Sequence, residues 1–191
     1  MIYLVSVSPR RKALMKSFKK PFRMIAPLYD ESKEKRSRPS ALVKRHALGK
    51  ALSVVPKIRS GILISADTIV YFKGKIIGKP RDLNDAFKVL GRLAGNWHSV
   101  YTGVAVLQVE KGKPGKRRIY VEKTKIRLKP MDRAARRGYF RKVNPLDKAG
   151  AYAIQSKTAG IVTEVRGSFT NAVGLPMESL TATLRRFFVI K

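Results

Sequence analysis

Between Gly61 and Tyr71 the chain runs through Ile62, Leu63, Ile64, Ala66, Ile69 and Val70, and sets one carboxylate, Asp67, in their midst. An apolar run of this length, rich in β-branched residues and free of proline, predicts a strand covered on both faces at the centre of a sheet. A lone carboxylate in such a strand costs several kcal/mol unless it is paired, bonded or metal-bound. Two readings of Asp67 follow. It accepts backbone N–H groups at a break in the sheet, or it serves as a metal ligand or base. Thr68 beside it points to the opposite face or follows a bend.

The opening Leu4-Val5-Ser6-Val7-Ser8-Pro9-Arg10-Arg11 predicts a strand over residues 2–7 running into a helix from Pro9 to about Phe18. Ser8 is a good N-cap, and Pro9 suits the first helical position because its missing N–H would have had no partner there. That first turn offers free backbone N–H groups, the positive end of a helix dipole and two guanidinium forks at one point. It is either a phosphate or anion site or a plain structural turn.

Further elements follow from periodicity and punctuation. Phe22–Ala26 predicts a short strand and Asp30–Arg38 a charged loop. Val43, Ala47, Ala51 and Val55 recur every four residues and predict an amphipathic helix from about Pro39 to Val55, with Lys50 bordering its apolar stripe. Ile76–Gly78 leads to Lys79-Pro80. Asp82 caps a helix carrying Leu83, Ala86, Phe87, Leu90, Leu93 and Ala94, ended by Gly95. Trp97–Val109 and Arg117–Leu128 predict a hairpin around Lys-Gly-Lys-Pro-Gly. A helix over Asp132–Val143, an irregular Asn144–Gln155, a strand near Ile161–Arg166 and a last helix from Met177 complete the chain. Strands alternating with helices, plus one long hairpin, predict an α/β fold on a mixed sheet. Its 191 residues suit a single domain, or one domain folded as two lobes.

The charge is extreme: 42 Lys and Arg against 12 Asp and Glu give +30. Such a balance favours polyanions of any kind, yet the basic residues are scattered over every element, with clusters only at Lys33–Arg38 and Lys111–Arg118. No aromatic single-strand platform or zinc knuckle accompanies them. Heat adaptation does not explain the excess, because that signature pairs lysine with abundant glutamate. The absence of cysteine excludes disulfides and thiolate chemistry, and two histidines, His46 and His98, do not make a histidine-built zinc site. Any metal must then rest on carboxylate and phosphate oxygens, which suits Mg²⁺ or Mn²⁺. No apolar run reaches a membrane span, and a cytoplasmic protein is expected.

Several other side chains have two readings. Asp82 and Asp85 suit a helix N-terminus, Asp30-Glu31 ordinary loop charge, and Asp147-Lys148 a surface ion pair. Arg10, Arg11, Lys50, Lys79 and Lys148 are five cations at element edges, either solvated or converging on an anion. His98 reads as a satisfied structural imidazole or a base, and His46 as blander still. Gly150, Gly167 and Gly174 mark turns, with or without a ligand close to the backbone.

Taken together, eight blocks in order resemble the Maf family of nucleoside triphosphate pyrophosphatases over nearly the whole chain. They are Ser6–Arg11, Asp30-Glu31, Ala47–Ala51, Ser65–Val70, Gly78–Asp82, Leu93–Val104, Pro145–Gln155 and Asn171–Pro176. The resemblance implies an elongated mixed β-sheet with flanking helices and two lobes around a central cleft, similar in shape to the inosine triphosphate pyrophosphatases. It implies metal-dependent hydrolysis of a nucleoside triphosphate to the monophosphate and pyrophosphate. By the same resemblance Asp67 is the general base, and Glu31 joins it at a divalent metal, Mg²⁺ or Mn²⁺. Ser8, Arg10, Arg11, Lys50, Lys79 and Lys148 bind phosphates. Arg10, Thr68 and Gln155 occupy the positions that separate subgroups, and the combination looks like the group acting on dTTP and UTP. A tryptophan, a glutamine and a glutamate there typify the group acting on 7-methyl-GTP. A homodimer is also implied. The chain departs from the family pattern at His46, where leucine is usual, at Gly49, where glutamate is common, and at Ala153 and Ser156, which replace glycines beside Gln155.

Two other readings stand beside this one. A nucleic-acid-associated protein with little or no hydrolysis needs only the charge, whereas a purine pyrophosphatase of the inosine triphosphate type needs the same Asp67 and Glu31.

Overall fold

The computed structural model describes residues 1–31, 38–155 and 160–188; the basic cluster Lys33–Arg38, apart from Arg38 itself, and Ser156 lie outside them. In chain order the elements are β1 (Ile2–Val5), α1 (Pro9–Lys16), β2 (Phe22–Ile25), α2 (Pro39–Leu52), β3 (Gly61–Phe72), β4 (Lys75–Ile77) and α3 (Leu83–Leu93). The second half holds β5 (Trp97–Glu110), β6 (Lys113–Leu128), α4 (Arg133–Lys142), β7 (Val162–Arg166), α5 (Phe169–Val173) and α6 (Met177–Phe188). They form an α/β fold on one seven-stranded mixed sheet in the order β2-β1-β3-β5-β6-β7, with β4 beside β3. β1 runs parallel to both β2 and β3, and the other pairings are antiparallel.

β3 is the central strand that its composition predicts. On one edge it pairs with β5 along almost its whole length, from Gly61 to Tyr71. On the other it pairs with β1 through Ile62–Ser65 and with β4 through Val70–Phe72. Between those partners Ala66–Ile69 has no ladder neighbour among the described residues. The sheet is therefore notched on one side at Asp67 and Thr68.

Alternation along the strands sorts the core onto two faces. Leu4, Ile64, Ala66, Val104 and Val106 pack with Met15 of α1 and with Leu180 and Leu184 of α6. Val5, Leu63, Ala105 and Leu107 pack with Ala47 and Ala51 of α2. A third cluster joins Val70, Ile77 and Val100 to Leu90 and Leu93 of α3, Ile126 and Leu128 of β6, and Tyr139 of α4.

Three local expectations shift. α2 stops at Leu52 rather than near Val55, because the Ser53 hydroxyl donates to the Lys50 carbonyl and Val55 precedes Pro56, which disfavours continued helix. The hairpin is tighter than the Lys-Gly-Lys-Pro-Gly run suggests. Lys111 and Gly112 both take positive φ (49° and 75°), Glu110 pairs with Lys113, and β6 begins there, with an irregularity at Leu107–Val109 absorbing the register. α5 is unforeseen: five residues carry no periodic signal, and its helix rests on Ser168, whose side chain accepts from the Asn171 N–H.

Gly103 decides how closely α2 lies on the sheet. It faces Asp67 across the β3–β5 ladder, and a Cβ built on it would lie 2.2 Å from the Val43 carbonyl oxygen of α2. Gly103→Ala is expected to destabilise the chain by roughly 1–3 kcal/mol or more through overpacking against backbone that cannot yield locally. Urea denaturation of the variant beside the parent chain checks this.

Candidate functional site

The notch in β3 opens into a cavity of about 580 Å³, walled by the β1–α1 turn, the Lys50 end of α2, β3 itself, Gly78-Lys79 and the segment from Asp147 to Gln155. Asp67 is buried on the α2 side, where Lys50 Nζ donates to its Oδ1 at 2.7 Å and His46 Nδ1 to its Oδ2 at 3.2 Å. Lys50, itself only 5% exposed, also reaches Glu31 Oε1 at 2.7 Å, so one buried ammonium bridges two carboxylates. Burial by itself would raise the Asp67 carboxyl. The His46 hydrogen bond, the charge and hydrogen bond of Lys50 and the charge of Arg11 outweigh it and hold the group well below the ordinary carboxylate range.

Thr68 projects to the other face. Its hydroxyl accepts from Arg11 Nη2 at 3.1 Å and sits 3.0 Å from the Thr102 hydroxyl, which donates to the Asn171 carbonyl. Arg11 Nε donates to the Gly174 carbonyl at 2.8 Å. The guanidinium is thus fixed between α1, β3 and the end of α5. Gly174, with φ of 123°, turns its carbonyl toward that arginine in a conformation that side-chain-bearing residues rarely adopt.

At the outer rim Arg10 Nη1 meets Asp147 Oδ2 at 2.8 Å and its Nη2 donates to the Asp147 carbonyl. Lys148 Nζ bonds the same carboxylate and the Asn144 carbonyl. Ser8 caps α1, its hydroxyl accepting from the Arg11 N–H, and the Ser6 hydroxyl accepts from the Ser8 N–H. Lys79 is exposed on the wall beside Gly78, whose carbonyl accepts from the Gly150 N–H. Gln155 lies at the open edge of the cavity. Its segment is tied down from within: the Tyr139 hydroxyl accepts from the Ala153 N–H, and Tyr152 OH lies 2.7 Å from His98 Nε2.

All the candidates expected from the sequence (Ser8, Arg10, Arg11, Glu31, Lys50, Asp67, Thr68, Lys79, Lys148 and Gln155) line this one cavity. Two residues outside that set, Asp147 and His46, also line the cavity, and a third, Asn171, reaches it only through Thr102. Asp147 is the shared partner of Arg10 and Lys148 rather than half of a simple surface pair, Asn171 buttresses Thr102, and His46 lies against Asp67. The last had a usable signal, because His46 stands one helical turn before Lys50 on the same face. His98 is not part of this lining; its Nε2 is bonded to Tyr152 and its Nδ1 is buried without a hydrogen bond among the described residues. Glu31, His46 and Asp67 each offer a ligand atom within 4.8 Å of the others, and a donor set of two carboxylates and one imidazole fits a small divalent cation.

A family model described as Maf-like protein matches residues 1–187. The curated dTTP/UTP pyrophosphatase of Carboxydothermus hydrogenoformans is 40% identical over 189 residues, covering 97% of this chain and 98% of its own length. The protein of the same description from Methanosarcina barkeri is 38% identical, over 97% of this chain and 93% of its own. Among solved structures, a dITP/XTP pyrophosphatase of Mycobacterium abscessus matches with a TM-score of 0.40 and 11% identity over 66% of this chain and 73% of that one. That likeness is too slight to carry an argument. No helix among the described residues is long and apolar enough to cross a membrane.

The His98–Tyr152 anchor makes stability depend on pH. Burial lowers the His98 imidazole to about 4, whereas an unfolded histidine titrates near 6.5. Below about pH 6.5 the unfolded chain therefore binds a proton that the folded chain refuses, and stability falls as pH drops toward 4. The loss through this group by pH 4.5 is about 2–3 kcal/mol. Denaturation of the parent and of His98→Phe at pH 7 and pH 4.5 checks it: the parent should lose that much more than the variant.

Proposed function

Because the chain belongs to the Maf-like family, we propose that it is a nucleoside triphosphate pyrophosphatase. Its substrates are dTTP, UTP and modified pyrimidine nucleotides of the cytoplasmic pool, released as the monophosphate and pyrophosphate. The names of its full-length relatives support that activity and that substrate class. The observation that carries the reading is the buried Asp67 carboxylate at the sheet notch, facing a cavity with Arg11, Lys50 and Lys79 on its walls.

In this reading water attacks the α-phosphorus, the bond to the bridging oxygen breaks, and pyrophosphate leaves. Catalysis of such a step is mostly positioning and stabilisation of charge on phosphate oxygens. Asp67 orients the attacking water or takes its proton. The positive end of the α1 dipole, capped by Ser8, favours a phosphate there, while Arg11, pinned by Gly174 and Thr68, holds its fork still for the same anion. Arg10, Lys79 and Lys148 stand at the mouth to receive the phosphate tail, with Asp147 holding two of them until then. Glu31 and Asp67 would hold a divalent cation, which when bound neutralises phosphate charge and polarises the reacting centre. Gln155 offers both a donor and an acceptor to a uracil or thymine edge, with Arg10 and Thr68 completing the selection.

The test is pyrophosphate release across a panel of pyrimidine and purine triphosphates. Pyrimidines should lead it, and preference for inosine triphosphate would move the chain to a purine class. Asp67→Asn should fold and lower kcat by roughly 10²–10⁴-fold. Near-parental turnover in that variant would remove Asp67 from the chemistry.

A further inference from the structure

His46 and Gly49 lie on α2 beside the carboxylate pair and share one neighbour. The Tyr29 ring stands edge-on to the His46 imidazole at 5.7 Å between centroids. It also fills the space a side chain at Gly49 would need, since a Cβ there would lie 2.3 Å from Tyr29 Cε2. Tyr29 therefore closes over the helix at the histidine and leaves the imidazole only 5% exposed. Within that pocket His46 has one hydrogen-bond partner, the Asp67 carboxylate, and its Nε2 is buried without any among the described residues. A buried ring nitrogen without a partner costs on the order of 1–3 kcal/mol.

Resting on the triphosphatase reading above, we propose that His46 is a nitrogen ligand of the catalytic cation through Nδ1, which gives up its hydrogen bond to Asp67 as the ring proton moves to Nε2, and that it tilts the site from Mg²⁺ toward Mn²⁺ or Co²⁺. Two carboxylates alone present a hard oxygen set, which suits Mg²⁺. An imidazole added to them favours first-row transition ions, whose affinity for nitrogen exceeds that of Mg²⁺. The three donor atoms lie within 4.8 Å of one another, against about 3 Å between adjacent ligands of an ion with ~2.1 Å bonds. Glu31, whose side chain is 54% exposed, is the member free to close that difference, while His46 and Asp67 are fixed by burial. Lys50 competes for the same oxygens, and the cation therefore binds best together with the triphosphate, whose phosphates can receive the displaced ammonium.

The experiment uses the full chain with Mn²⁺ and α,β-methylene-dUTP, an analogue with no nitrogen near the metal. Electron spin echo modulation of the bound Mn²⁺ should show imidazole ¹⁴N coupling in the parent and none in His46→Leu. Competition titration should show the preference for Mn²⁺ over Mg²⁺ falling roughly tenfold or more in that variant. If His46→Leu does not fold, the parent labelled with ¹⁵N-histidine settles the matter, because ligation replaces the ¹⁴N pattern with a ¹⁵N one. A parent spectrum without nitrogen coupling, or coupling that survives His46→Leu, overturns the proposal. Pyrophosphate release by a parent lacking that coupling leaves the enzymatic reading standing, whereas a parent that turns over no triphosphate fails it whatever the spectrum shows.

Discussion

Burying a carboxylate in the middle of a sheet is the constraint around which much of this molecule is arranged. Asp67 would cost several kcal/mol alone, and so would the ammonium of Lys50; each is tolerable because the other lies 2.7 Å away. Their meeting depends on how near α2 comes to β3 and β5. That approach uses small residues on both sides: Ala47 and Ala51 on the helix, and Gly103 where the helix backbone would touch a Cβ. Ser65 secures it further, its hydroxyl donating to the Ala47 carbonyl at 2.6 Å. The charge pair, the glycine and the helix position are one arrangement. Enlarging any of the small residues separates the ions as well as disturbing the packing.

The notch in the sheet gives that buried pair access to a ligand. Adjacent residues of a strand face opposite sides, so Asp67 and Thr68 would normally be divided by the sheet. Here β1 ends opposite Ser65 and β4 ends opposite Val70, so the space beside residues 66–69 joins the two faces. The carboxylate site beneath α2 and the arginine site beneath α1 and α5 thereby open into one cavity. Its charge is unbalanced: Arg10, Arg11, Lys50, Lys79 and Lys148 face Glu31, Asp67 and Asp147. The +30 of the whole chain adds attraction at a distance, but salt screens it beyond about 8–10 Å. Discrimination among anions must come from the fixed groups at the notch.

Much of this was legible in the sequence where one residue sets one local outcome. Asp82 before an apolar stripe specified α3, the apolar run specified β3, and Ser8-Pro9 specified the start of α1. Features set by relations between distant segments were not. The tight Lys111-Gly112 turn depends on a ladder irregularity at Leu107–Val109, α5 depends on a hydroxyl cap and on packing against β5 and β6, and the notch depends on where two other strands stop. Likewise, each of the five cations read singly is indistinguishable from solvated surface in so basic a chain. Only their enclosure around a buried carboxylate separates them from the rest.

His46 shows why such relations matter for chemistry as well as for fold. Read along the chain, His46 and Gly49 are two unrelated residues. In space the missing side chain at position 49 admits the Tyr29 ring, and that ring stands against the imidazole. Residues coupled through a shared neighbour do not contribute additively. A side chain at position 49 would meet the same Tyr29 ring that stands against His46. The two positions form one packing unit, through Tyr29, beside the acidic pair.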